Sequence, residues 1–152
     1  VKQLTDPLEK TSIAREILET LTEWFGIAEA REAYIGESTQ QLFFAAFCAE
    51  RPIGFLCLKK TGKETAELAV MGVLKEYHHQ GVGRELFQAA KKCAARKGYS
   101  FLQVKTVQMG CYEEYDKTNR FYQSLGFGEL EVFPTLWGEK NPCQIYVMKT
   151  EG

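Results

Sequence analysis

A chain of 152 residues suits one domain and is long enough to bury a core without covalent staples. Its 45% hydrophobic and 26% charged residues are ordinary for a globular protein, and a net charge of −1 argues against a general nucleic-acid binder or a polybasic membrane binder. Five cysteines (Cys48, Cys57, Cys93, Cys111 and Cys143) with no C-x-x-C pair disfavour a disulfide framework or a structural zinc, so no metal and a reducing, cytoplasmic compartment are expected.

In chain order, Ile13, Ile17, Leu18, Leu21 and Trp24-Phe25 fall at helical spacing and predict a helix ending at Gly26. A short helix is expected over residues 28–34. QLFFAAFCA and GFLCLKK read as two strands joined by a tight turn at ERPIG, and residues 65–74 as a third strand. Leu86, Ala90, Cys93 and Ala94 line one face of a helix that stops at Gly98. FLQVKTV predicts a strand, TNRFYQSL a helix stopped by Gly126, and LEVF and CQIYVMK two closing strands around PTLWGEKNP. This order predicts one α/β domain over residues 1–152, with helices on both faces of a mixed sheet. No apolar run approaches the ~20 residues that span a bilayer, and no signal-peptide pattern opens the chain. The first residue is Val rather than Met, so a few residues are expected upstream.

YHHQGVGREL lies between the third strand and the helix that follows. The first turn of a helix leaves four N–H groups without internal partners, and the macrodipole adds positive charge there. Glycine lets the backbone bend and approach an anion without a Cβ in the way. No acidic side chain occurs from Tyr77 to Arg84, and Arg84 adds a cation. A phosphate loop is one reading, and a tight turn with a close helix–strand contact is the other. The dinucleotide fingerprint is excluded because Leu86 stands where its third glycine belongs, and no G-x-x-x-x-G-K-[ST] run exists.

LAVMGVLKEYHHQGVGRELFQAAKKCAARKG resembles the acetyl-CoA-binding core of the GNAT superfamily of N-acetyltransferases, whose signature is [QR]-x-x-G-x-[GA]. His79, Gln80, Gly81, Val82 and Gly83 fit it, and His78 stands where Gln or Arg is usual. A second block, TNRFYQSLGF, is similar to the family's later helix, N-x-x-A-x-x-F-Y-x-x-x-G-F, at Phe121, Tyr122, Gly126 and Phe127. Tyr115 and Thr118 depart from its Asn and Ala. The resemblance covers about residues 40–130. It implies a largely antiparallel central sheet of six to seven strands and an acetyl-CoA-dependent N-acetyltransferase.

What the resemblance implies can be assigned residue by residue. The diphosphate of acetyl-CoA would sit on amides from His79 to Arg84, with Thr118 and Tyr122 also near the cofactor. The pantetheine arm would pair with the backbone at Met71 and Val73, with Gly72 suiting a bulge between them. The Met71 N–H is the candidate donor to the thioester carbonyl. Tyr122 would protonate the leaving thiolate. Glu67 is the general-base candidate. Strand alternation sets Glu67, Ala69, Met71 and Val73 on one face, with Glu67 ~13 Å from Met71, so it would act through water or across a bulge. Catalytic roles for His78 and His79, and nucleophilic ones for Cys111 and Cys143, find no supporting neighbour, so direct transfer is preferred.

The acceptor is expected beside the first two helices, around Trp24, Phe25 and Tyr34, where aromatic rings could wall a pocket, meet an ammonium or simply pack. Residues 1–40 hold eight acids and four bases, and Glu19, Glu23, Glu29, Glu32 and Glu37 favour a small cationic amine. The alternatives are a protein N-terminus or lysine as acceptor, or a CoA-sensing module without turnover. Oligomeric state is open, a homodimer included.

Overall fold

Residues 1–151 are described in a computed structural model, and their apolar alternation resolves into one seven-stranded sheet. The strands are β1 (Lys2–Leu4), β2 (Leu42–Cys48), β3 (Arg51–Lys60), β4 (Thr65–Val73), β5 (Phe101–Val107), β6 (Gly128–Phe133) and β7 (Cys143–Lys149). Their spatial order is β1-β2-β3-β4-β5-β7-β6, and only the β4–β5 pair is parallel. The expected mixed, largely antiparallel sheet is therefore present.

Four helices cover it: α1 (Pro7–Leu18), α2 (Ala28–Glu37), α3 (Val82–Arg96) and α4 (Glu113–Ser124). Two glycines, at neighbouring levels of the paired strands β3 and β4, identify the faces. A Cβ on Gly72 would lie 3.0 Å from Leu21 and 3.1 Å from Ile17, so α1 covers that face. A Cβ on Gly54 would lie 3.2 Å from Leu86, so α3 covers the other. α2 is joined to α1 by Arg15–Glu32, and α4 lies beside α3, where a Cβ on Gly83 would come within 3.0 Å of Phe121. The core between these layers contains Ile17, Leu18, Phe43, Phe55, Leu56, Phe87 and Leu102, all essentially inaccessible.

Several boundaries differ from the sequence expectation. α1 starts six residues before Ile13, at Pro7 in its first turn behind the N-cap Asp6, and ends at Leu18 rather than Gly26. The Thr20 hydroxyl donates to the Ile17 carbonyl at 2.8 Å, and tight turns then carry Leu21, Trp24 and Phe25. Their helical spacing reflects burial in turns and not a helix. α2 runs three residues past Tyr34, and α4 begins five before Thr118. The β2–β3 turn is only Ala49-Glu50, with Ala49 at φ 56, so Pro52 lies inside β3. β1 gave no periodic signal because it is three residues long.

One polar side chain ties the second half of the sheet to its helix. Asn119 is fully buried and donates through Nδ2 to the carbonyls of Val107 (2.9 Å) and Tyr115 (2.7 Å). It also accepts from the Tyr146 hydroxyl at 2.7 Å. Three polar groups would lose this partner in Asn119→Ala, each at a cost of about 1–3 kcal/mol where buried. We expect the variant to lower the urea midpoint by an amount equal to at least ~2 kcal/mol with the slope unchanged, while an exposed control such as Lys117→Ala stays within ~0.5 kcal/mol.

Candidate active site

The functional geometry starts where β4 and β5 separate. Their parallel ladder pairs Thr65 with Phe101, Ala66 with Leu102 and Glu67 with Gln103, and then stops. From Leu68 to Val73, β4 remains paired to β3 but has no strand on its other edge. The gap so formed is open to an extended ligand and links the α1 face of the sheet to the α3 face.

Glu67 stands at the apex of this gap. The expectation that it shares a face with Met71 is corrected by the register: Leu58 pairs with Leu68 but Cys57 pairs with Val70, so Ala69 is an inserted residue. This bulge reverses the alternation. Glu67 shares the α1 face with Val70 and Gly72, while Met71 and Val73 face α3. The bulge is therefore at Ala69 and not at Gly72, which is ladder-paired with Phe55 and whose missing side chain makes room for α1.

The Glu67 side chain is 7% exposed. Lys105 Nζ lies 3.2 Å from Oε1 but off the hydrogen-bonding directions, and Lys59 Nζ is 4.0 Å from Oε2. Oε1 has no hydrogen bond among the described residues. Oε1 therefore keeps hydrogen-bonding capacity beside the Lys105 ammonium, with which it could orient a water. Cys143 is wholly buried beside this pair, and burial pushes its thiol up, which removes it as a thiolate nucleophile near neutrality.

On the opposite side of the gap, α4 presents Tyr122, with its ring against Phe127 and Tyr146. Burial first, then the neighbouring Tyr34 and Tyr115 phenols, push its hydroxyl well above the ordinary 10.0. It makes no hydrogen bond among the described residues. Tyr34 on α2 is likewise raised, by burial and then by Glu37 and Glu67. Tyr34 comes from the α1 face of the sheet and Tyr122 from the α3 face, and Tyr34 adds to the rise at Tyr122.

The three residues expected at the acceptor side are half-buried and in contact with this cluster. Phe25 and Tyr34 meet edge to face at 5.8 Å. Trp24 donates from Nε1 to the Glu114 carbonyl at 3.3 Å, and its own carbonyl accepts from the Tyr115 hydroxyl at 3.3 Å. Tyr115, which replaces the family's Asn, thus clasps the α1–α2 segment to the start of α4.

The glycine loop is also in order, with a division of labour. Gly81 caps α3 at φ +84, and a Cβ there would meet nothing within 4 Å. Gly81 therefore supplies the turn and leaves free space over the helix N-terminus. Gly83 has no positive φ, and its value is close contact with Phe121 of α4. The close contact made by the loop is thus helix to helix, at Gly83, and the free space lies at Gly81. Val82 is half-buried, while His79, Gln80 and Arg84 are exposed, and His79 has φ 62. Gln80 donates to the Glu76 carbonyl at 3.0 Å, and Arg84 to Ser124 Oγ at 3.3 Å. His78 donates from Nε2 to the Val73 carbonyl at 2.7 Å, so this carbonyl already has a partner. Thr118 bonds back to Glu114 within its own helix at 3.2 Å.

Sequence reasoning missed Lys105, Asn119 and the Tyr115 clasp. Alternation in FLQVKTV sets Gln103 and Lys105 on one face, but their facing Glu67 depends on β4 neighbouring β5. Among the described residues, no group of three or more His, Cys, Asp or Glu could hold a metal ion, and no helix is long and apolar enough to cross a membrane.

The comparisons with known proteins agree with this geometry. Residues 39–129 match the family model described as an acetyltransferase (GNAT) domain. No curated protein matches the chain. Among solved structures, a protein assigned to the GNAT acetyltransferases of Desulfovibrio desulfuricans superposes with a TM-score of 0.85 at 19% identity, covering 98% of this chain and 97% of that one. An aminoglycoside 6'-N-acetyltransferase complexed with coenzyme A gives 0.78 at 17% identity, over 100% and 98%. The ribosomal-protein-S18-alanine N-acetyltransferase of Escherichia coli gives 0.75 at 17% identity, over 99% and 94%. With its glycine loop, its parted strands and a family model matched over residues 39–129, the chain belongs to the GNAT acetyltransferases, enzymes whose acyl donor is acetyl-CoA.

Proposed function

We propose that this enzyme transfers the acetyl group of acetyl-CoA directly to the primary amine of a small molecule that arrives as its ammonium cation. The observation that carries this reading is the β4–β5 gap, which opens directly beyond the buried carboxylate of Glu67, with the buried phenol of Tyr122 on the α4 side of the sheet. Solved neighbours that acetylate aminoglycosides favour a small-molecule acceptor.

In this proposal the amides of residues 79–84 hold the diphosphate above the open space at Gly81. The unpaired edge of β4 aligns the pantetheine arm, with the Met71 N–H directed at the thioester carbonyl and Val73 further along. A single well-aimed donor of this kind is worth about 3 kcal/mol of barrier. Glu67 removes the ammonium proton, through a water, since its side chain is on the α1 face and Met71 on the other. The freed amine attacks the carbonyl carbon, the carbon–sulfur bond breaks as Tyr122 gives its proton to the departing sulfur, and the second proton lost by the nitrogen restores the Tyr122 phenol, while the first passes from Glu67 through water to solvent. Five free cysteines suit a cytoplasmic setting.

Thiol release from acetyl-CoA over a panel of amines tests the reading. Binding of acetyl-CoA with no turnover on any amine or peptide would make the chain a sensor instead. A thiol is already a fair leaving group, so Tyr122→Phe is expected to lower kcat by only about tenfold, with acetyl-CoA affinity within about twofold. Glu67→Gln should cost about 100-fold in kcat/KM for the amine. The raised Tyr122 hydroxyl also sets a stability limit. The unfolded phenol ionises near 10.0 and the buried one only above it, so the stabilisation is complete below pH 10 and lost above it. The melting temperature should fall above pH 10, less steeply in Tyr122→Phe.

A further inference from the structure

We infer that a lysine-lined cavity, at the end of the sheet remote from the glycine loop, binds a small oxyanion carrying two or three negative charges. The inference goes beyond the acetyl-transfer reading and does not depend on it.

The β3–β4 ladder runs from the Gly54–Val73 pair, beside the glycine loop, to the Lys60–Ala66 pair. Those two ends lie about 20 Å apart at the rise of a strand. At the Lys60 end is a cavity of about 330 Å³, within the size range of small-ligand sites. Four lysines line it: Lys10 from α1, Lys59 and Lys60 from the end of β3, and Lys97 from the C-cap of α3. Hydrogen bonds bring these elements together. Lys10 Nζ donates to the carbonyls of Gln41 (2.8 Å) and Thr39 (3.4 Å), just ahead of β2. The Ser100 N–H donates to the Glu64 carbonyl at 2.8 Å, which holds the segment after α3 against the β3–β4 turn. The remaining walls, Thr39, Leu58 and Tyr99 among them, are neutral, and no carboxylate lines the cavity.

Like charges gathered round one recess repel one another, so their company needs a counter-charge. Lys10 makes the case most sharply, because it is only 7% exposed and has no ion pair among the described residues. Two carbonyls solvate its ammonium without neutralising it, whereas buried charges are normally paired. Lys60 and Lys97 have no ion pair either, and Lys59 reaches Glu67 only at 4.0 Å, while Lys105 stands closer to that carboxylate at 3.2 Å. Asp6, Glu9, Glu37, Glu64 and Glu151, on the flanking segments, stay outside the walls and pair with none of these lysines. An oxyanion would supply the charge that no side chain here provides. Ammonium groups are point charges without the planar fork of arginine, so carboxylate and phosphate oxygens both suit them. A closed recess in place of a long basic stripe favours a compact ligand over a polymer.

Calorimetric titration with citrate and with inorganic phosphate, at constant ionic strength and with CoA absent or saturating, tests the inference. One saturable site is expected under both CoA conditions, and the tighter of the two anions identifies the oxyanion chemistry. Lys60→Gln with Lys97→Gln, both exposed, should weaken that site at least about tenfold while leaving CoA affinity within about twofold. Lys63→Gln with Lys92→Gln removes the same charge from outside the cavity and should change anion affinity by less than about twofold. No saturable binding up to about 10 mM of either anion overturns the site. Equal losses in the two double variants reduce it to general surface charge and overturn it too. Binding abolished by saturating CoA relocates the anion to the glycine loop and overturns the separate site, and binding of heparin alone overturns the small ligand.

Discussion

The separation of β4 from β5 beyond Glu67 and Gln103 is the constraint from which the site follows. Two parallel strands that share three rungs and then diverge leave one backbone edge with unspent hydrogen-bonding capacity, which a folded chain cannot leave in a dry interior. An extended ligand is a natural partner for that edge. The same divergence leaves a gap in the central sheet between its α1 face, which carries Tyr34, and its α3 face, which carries Tyr122. Holding it open requires α4 to stay anchored to β5 and β7, which is the task of the buried Asn119 network.

The ordering of the glycines follows from the same frame. Gly72 lets α1 settle on β4, Gly83 lets α3 settle on α4, and Gly81 alone turns the backbone through a left-handed conformation facing free space. The first two are packing solutions, and only the third leaves room for an anion. Their sequence neighbourhood cannot distinguish them, because the atoms that crowd Gly72 and Gly83 come from other elements.

Much of the fold was legible in the sequence because it is written in local periodicity. β5 and β7 occur over the same residues as expected, and the sheet class followed from the order of the elements. Tertiary context decided the rest. Leu21 and Trp24 keep helical spacing yet lie in turns, since burial against the sheet needs only that they point inward. The inserted Ala69 inverted the face of Glu67, and a bulge leaves no mark on an apolar run such as LAVM. The glycine loop was recognisable through its motif, whereas Lys105 beside Glu67 and the Tyr115 clasp depend on contacts between distant segments. In the acidic first quarter, the pairing of Glu19 and Glu32 with Arg15 and of Glu23 with Lys75 is likewise invisible to a count of charges.

The central claim is that main-chain amides at the start of α3 hold the diphosphate of CoA and so aim the acyl group into the gap. Calorimetric titration of CoA into the wild type, Gly81→Asp and Gly81→Asn tests it most directly. Both side chains tolerate the left-handed φ and would project into open space, so they differ in charge and little else. The account predicts one saturable site, weakened at least about tenfold by Asp relative to Asn, since a carboxylate beside the diphosphate is repelled by it. No heat with the wild type, or equal affinities for the two variants, would contradict it.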